Sequence, residues 1–408
     1  MTKHTLNNKV SSYTLLTTLL LFTVLNMSFM ATAEAKMPNK IRIATFNVSM
    51  EALNYVDRGT KVTGNELSQV LREDNQQIKN IAEIIQRVNP DVILLNEFDY
   101  VNDDNIRYFL ANYLAKSQQG QAGINYPYFY QGSVNTGVKV NYDLNHDGKV
   151  NQQPSDTHGF GHFEGHFGMV LLSKYPINEQ KIRTFQHFKW HDMPNALQPR
   201  DPVTKKPWYT PKAWQTLRLS SKSHWDIPVT IDKKTIHLLA SHPTPPVFDG
   251  PENRNGKRNH DEIRFWFDYI NGEQGNYIYD DVGVKGGLAL QQPFVILGDQ
   301  NASTIDGDAI ANKNSLGIVA LLNSDKIQDP KPKSTGAKLH SAEKSHGQHH
   351  TAYWGMRADY VLPSKQGFTL LNSGVFWPEK EHEDYRLIKD RQASSDHRLV
   401  WVDVKLTQ

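Results

Sequence analysis

Apolar residues in this chain gather into short runs that stop abruptly at polar ones. In KIRIATFNVSM, Ile41, Ile43, Thr45 and Asn47 alternate onto one side of a strand. DVILLNEFD reads as a buried strand from Val92 to Leu95 that ends in Asn96 and Glu97. TIHLLASHPTPP runs from Ile236 to Ala240 and ends in Ser241 and His242, and FVILGDQNAS runs from Phe294 into Asp299 and Asn301. Between the first two runs, Ile78, Ile81, Ile84, Ile85 and Val88 form a helical stripe that Pro90 closes. GMVLLSKYPI and RADYVLPS predict later strands of antiparallel character. This mixture predicts an α/β protein with sheets facing each other rather than one parallel doubly wound sheet.

Stretches 117–162, 190–214, 243–260 and 326–352 are rich in Gly, Pro, Asn, Asp and His and carry little periodicity. They read as long loops decorating one domain, and long loops on a compact domain usually carry function. In NHDEIRFWFDYI, Ile263, Phe267 and Ile270 stand at core spacing, a packing helix. The start differs from all of this. MTKHTLNNKV is basic, SSYTLLTTLLLFTVLNMSFM is apolar, and ATAEA supplies small residues before a cut after Ala35. Residues 1–35 are therefore expected to be a signal peptide, with an uncleaved anchor as the alternative. A single domain over 36–408, exported to a periplasm or the medium, follows, with no later segment apolar enough to span a bilayer.

Composition adds exclusions. The chain has no cysteine, which rules out a thiolate nucleophile and a Cys-based zinc site. A formal net charge of +2 is too small to argue for general nucleic-acid binding.

The polar strand ends carry the candidate chemistry. Asp299 and Asn301, two apart, would emerge on one side of an extended chain, although Asp and Asn also form ordinary turns. With Asn47, Glu97, His242, Asp359 of GMRADYVL, and Asp396 and His397 of SSDHRLVWVDV, they form a set that coincidence explains poorly. In order and residue type, the set TFN, LLNE, SHP, GDQN, RADY and SDH resembles the endonuclease/exonuclease/phosphatase superfamily, the DNase I-like fold. GMVLLSKYPI is similar to a strand of that superfamily, and the marks span Ile41 to Val404. Ser49 stands where some members carry Asp, and Asn96 where Gln is common.

The resemblance implies a four-layer α/β/β/α sandwich of two facing mixed sheets and a divalent-metal-dependent phosphoric ester hydrolase, which the signal segment would export. It implies Glu97 as the metal ligand, supported by Asn47 and Asp396, with magnesium or manganese as the metal. It implies Asp299 as the base for in-line water attack, Asn301 as a phosphoryl donor, and an Asp359–His397 pair. It implies His242 as a phosphate donor or leaving-group acid. It implies a phosphoester substrate, whether nucleic acid, nucleotide or phospholipid head group, and no stable protein partner. A binding protein that kept the fold without the chemistry is the alternative from another class.

Three further stretches carry open alternatives. DLNHDGKVN places Asp143, Asn145, Asp147 and the Lys149 carbonyl as in an EF-hand calcium loop, without the usual final Glu. Structural calcium is expected there, beside the plainer reading of a turn. KLHSAEKSHGQHH holds His340, His346, His349 and His350 in no standard metal spacing, and a solvated loop is the simpler reading. LRLSSKSHWDIPV offers Arg218, Lys222, His224 and Trp225 as a phosphate-binding rim or an exposed strand edge.

Overall fold

The computed structural model describes residues 40–407; the expected signal segment lies outside them. Eleven strands form two mixed sheets among the described residues. The first sheet holds β1 (Ile41–Met50), β2 (Val92–Phe98), β3 (Tyr128–Gln131), β4 (Met169–Ser173), β10 (Phe368–Val375) and β11 (Val400–Leu406), in the order β10-β11-β1-β2-β4-β3. The second holds β5 (Arg183–Thr184), β6 (His224–Ile231), β7 (Lys234–Ser241), β8 (Phe294–Asp299) and β9 (Asp359–Pro363), in sequence order. In each sheet a single parallel pair sits among antiparallel ones: β1 with β2, and β7 with β8. The antiparallel character expected of the GMVLLS and RADYVLP strands is met by β4 and β9.

Helix α1 (Gln76–Val88) follows the isoleucine stripe. The Asn75 side chain accepts from the Ile78 amide at its start, and Asn89 closes it in a left-handed conformation. Helix α2 (Arg254–Tyr269) begins inside the stretch expected to be loop. Its buried face is Ile263, Phe265, Trp266 and Tyr269, continued by Ile270, while Phe267 is only partly buried, so Ile263 and Ile270 are core as expected and Phe267 is not. That face packs with Leu239, Ile296, Tyr360 and Leu362, alternate residues of β7, β8 and β9. Their neighbours Leu238, Val295, Leu297 and Val361 are equally buried and point the other way, toward the first sheet. The result is an α/β sandwich of two facing sheets, as expected.

The long loops are less bare than their composition suggests. Stretch 117–162 contains β3, 190–214 runs into a short helix at Pro211–Thr216, and 326–352 contains another at Thr335–His340. No helix among the described residues is long and apolar enough to cross a membrane.

Candidate functional site

The two parallel pairs point their carboxyl ends to one edge of the sandwich, where open α/β sheets place ligands. Asn96, fully buried at the end of β2, ties the sheets together there. Its Oδ1 accepts from the Asp299 amide (3.2 Å) and the Thr45 hydroxyl (3.3 Å), and its Nδ2 reaches the Ser241 carbonyl (3.5 Å). Asn47 Nδ2 makes a third cross-sheet bond, donating to Asp299 Oδ2 (3.1 Å).

Strand ends bend sharply at this edge. Ser49, Glu97 and Asn301 have φ of 46°, 56° and 50°, left-handed values that residues with side chains rarely adopt. The β1–β2 register shifts between Asn47 and Met50, a bulge that re-aims the side chains after it. Such conformations persist only where surrounding structure enforces them, and they gather at functional sites.

Asp299 is the hub. Its Oδ2 faces Asn47 Nδ2, His242 Nε2 at 3.4 Å and His397 Nε2 at 3.5 Å, while Oδ1 accepts from the Asn301 amide (2.9 Å). Burial alone would raise its pKa, but His397 and His242 overturn that and hold the carboxyl below its usual range. The expected His397–Asp359 pair is present, Nδ1 to Oδ2 at 2.9 Å. Thr351 Oγ1 donates to the same Asp359 oxygen at 2.7 Å. Burial would lower the His397 pKa, yet Asp359 and Asp299 together raise it to about 10. His242 goes the other way: burial and the nearby Lys222 lower it. Its Nδ1 is buried without a hydrogen-bond partner.

Asn301 reaches the site by a different route from the one expected. β8 ends at Asp299, and the left-handed turn at Asn301, rather than the pleat of a strand, brings it back. One amide hydrogen is committed to the Pro243 carbonyl at 3.1 Å.

Glu97 is half-buried beside this hub, and burial raises its pKa while His242 partly offsets the effect. Among the described residues no hydrogen bond reaches its carboxylate. Asp396 accepts from Ser49 Oγ (3.3 Å) and faces Arg391 (3.4 Å). Asn47 Oδ1 takes the Ser49 amide (3.2 Å).

Sequence reasoning missed several residues. Glu51, just past β1, is buried against His166 (3.0 Å) and the Leu53 amide (2.7 Å), and burial raises its pKa to about 7. It couples electrostatically to Glu97 and Asp396, so three carboxylates share this corner. Lys222, by contrast, is one that the sequence already offers, as a phosphate-binding rim or an exposed strand edge, and the second alternative fails. It is 6% exposed, it senses Glu97 and Asp299, and burial lowers its pKa. Trp225 is wholly buried, and His224 is held by Ser220 and the Glu262 carbonyl. Helix α2 also does more than pack. Glu262 accepts from the amides of Ser221 and Thr244, each at 2.6 Å, and Asn259 donates to the carbonyls of Thr244 and Gln300. Two polar residues three apart on a buried helical face were the available signal.

The other two loops divide. In the 143–149 loop, Asp143 accepts from the amides of Asp147 (3.1 Å) and Gly148 (2.9 Å), and Asp147 from that of Lys149 (2.9 Å). Asn145 Oδ1 is buried there without a partner, while Asp156 faces inward and binds the Leu144 and Gln152 amides. The histidine-rich stretch is not the solvated loop expected from composition: His350 is wholly buried.

A sequence profile described as the Endonuclease/Exonuclease/phosphatase family matches residues 44–397. No curated protein matches the chain. Solved structures similar in fold include an endonuclease/exonuclease/phosphatase from Beutenbergia cavernae DSM 12333, 19% identical, covering 90% of this chain and 72% of its own, with a TM-score of 0.47. An endonuclease/exonuclease/phosphatase family protein from Leptotrichia buccalis C-1013-b is 16% identical, covering 90% and 100%, with a TM-score of 0.44. The human nocturnin catalytic domain with bound sulfate is 11% identical, covering 91% and 96%, with a TM-score of 0.43.

Proposed function

The chain belongs to the endonuclease/exonuclease/phosphatase family, and from that premise we propose that it is a divalent-metal-dependent phosphoric ester hydrolase whose attacking water is oriented by Asp299. The observation that carries this reading is the convergence of Asn47, His242 and His397 on one oxygen of Asp299.

The donor set at the corner fits a hard cation. Glu97 offers a carboxylate without a hydrogen-bond partner, Asp396 is close enough for its charge to raise the Glu97 pKa, and Asn47 Oδ1, which takes the Ser49 amide, would supply a further oxygen. Magnesium or manganese held there would neutralise charge on a phosphoryl oxygen. The chain's own residues account for the rest. Asp299, kept ionised by its histidines, aligns water for in-line attack. A carboxylate of lowered pKa is a weak proton trap, so orientation is its larger contribution. Asn301, through its second amide hydrogen, and Lys222 donate to the phosphoryl oxygens. His397, protonated at neutral pH and fixed by Asp359, is better suited than His242 to give a proton to the leaving oxygen. His242, neutral under the same conditions, positions Asp299.

The test is hydrolysis by the chain lacking residues 1–35, with and without magnesium, manganese or calcium. The substrates are plasmid DNA, RNA, bis-p-nitrophenyl phosphate, p-nitrophenyl phosphate and phospholipid. Metal-dependent turnover that disappears in Asp299→Ala supports the reading and ranks the substrate classes. Equal turnover in the folded variant overturns it.

Two subsidiary proposals accompany it. Residues 1–35 direct export and are removed, which N-terminal sequencing of the expressed product checks. The 143–149 loop takes calcium through Asp143, Asn145, Asp147 and the Lys149 carbonyl. The partnerless Asn145 Oδ1 supports this, and silent titration calorimetry with calcium would refute it.

A further inference from the structure

We propose that Asp306, His346 and His350 form a second metal site, suited to zinc or a similar transition-metal dication and separate from the Glu97 corner. Asp306 lies on the loop that leaves β8, whereas His346 and His350 lie on the loop that enters β9. The Nε2 atoms of both histidines converge on Asp306 Oδ2, at 2.9 Å and 3.3 Å. The three ligand atoms lie within 4.8 Å of one another.

His350 carries the argument. Its side chain is fully buried, and its Nδ1 is held by Ser341 Oγ at 2.8 Å. Its Nε2 is buried and lies 3.3 Å from Asp306 Oδ2, too poorly aligned to make a hydrogen bond to it. A buried ring nitrogen left unpaired is costly, and native proteins rarely retain one without reason. An imidazole fixed through one nitrogen so that the other points at a carboxylate is the arrangement of a metal ligand. Asp306 is similarly prepared. Lys344 Nζ occupies its Oδ1 at 2.9 Å, leaving Oδ2 to face the two histidines. Lys344 Nζ also donates to the Gly355 carbonyl at 2.9 Å, so the ammonium is not tied to Asp306 alone.

The chemistry of the donors selects the metal. Two imidazoles and one carboxylate suit zinc and its neighbours, whereas magnesium and calcium prefer oxygen alone. A cavity of about 210 Å³ adjoins the three residues, lined also by Ser303, Thr304 and His349, and leaves room for a water ligand. Such a metal would join two loops. Thr351, the residue after His350, donates to Asp359, which holds His397. The site would therefore brace the Asp359–His397 pair from behind.

The experiment loads chelator-stripped protein with zinc, removes excess by gel filtration, and measures bound zinc in wild type, Glu97→Gln and His346→Gln. Cobalt substitution gives a visible spectrum that reports nitrogen ligation. His346 is partly exposed, so His346→Gln should fold, and circular dichroism in chelator verifies this. One equivalent of zinc in wild type and Glu97→Gln, absent from folded His346→Gln, is the expected result. Folded wild type without stoichiometric zinc, or zinc retained by His346→Gln, overturns the proposal. Neither outcome depends on hydrolysis, so this site and the hydrolase reading stand or fall separately.

Discussion

His397 and Asp359 are buried partners, with Nδ1 2.9 Å from Oδ2, and the ring's other nitrogen faces Asp299 at 3.5 Å. Carboxylates on both sides outweigh burial and raise the His397 pKa to about 10. Replacing Asp359 by Asn removes one of them. The alkaline limb of the kcat profile should move to lower pH by on the order of 1–3 units. An unmoved limb would remove His397 as the acid. The sign for stability follows from the same shift. A folded-state pKa above the ordinary 6.5 gives a contribution fully present below about 6.5 and lost as pH rises toward about 10. Melting temperature should therefore fall more across that window in wild type than in His397→Gln.

Asp299→Ala should leave a folded protein, because the backbone amide at 299 keeps its bond to Asn96. Turnover should drop by about 10²–10⁴-fold. Steady-state rates beside a thermal melt separate the two effects.

Glu97→Gln keeps the shape of the corner and removes its charge. The metal concentration at half-maximal activity should rise by roughly 10-fold or more, the scale seen when metal sites are perturbed. Titrating magnesium or manganese against rate measures this directly.

Lys222→Met should separate affinity from stability. A charged hydrogen bond to the phosphoryl group contributes about 1.5–3 kcal/mol, so kcat/KM should fall by roughly 10- to 150-fold. The same change removes a buried ammonium and should hold or raise the melting temperature. A drop in stability with activity unchanged would make Lys222 structural.

Gly298, between Leu297 and Asp299, has φ +137°, and a Cβ there would lie 2.0 Å from the Ser241 carbonyl oxygen. That region is open essentially to glycine alone. Gly298→Ala should cost roughly 1–3 kcal/mol in chemical denaturation. It should also displace Asp299 and lower the activity of the molecules that remain folded.

The set that meets at the sandwich edge, Asp359, Asp396 and His397 included, was legible through a family resemblance, whereas β1, β2, β7, β8 and helix α1 followed from the apolar runs and their polar ends alone. They could do so because burial demands alternation or continuity locally, and a carboxylate closing a buried strand stands out against it. Asn301 shows the limit. The sequence brought it to the site, but a left-handed turn rather than strand pleating aimed it. Glu51, Glu262 and Asn259 left only faint traces, because a buried polar residue declares its purpose only through partners distant in the chain. His346 and His350 are the plainest case. Their spacing matched no metal motif because the third member, Asp306, lies 40 residues before His346 on another loop. Only the packing of the loops after β8 and before β9 brought the three together, and only burial left His350 Nε2 without a partner.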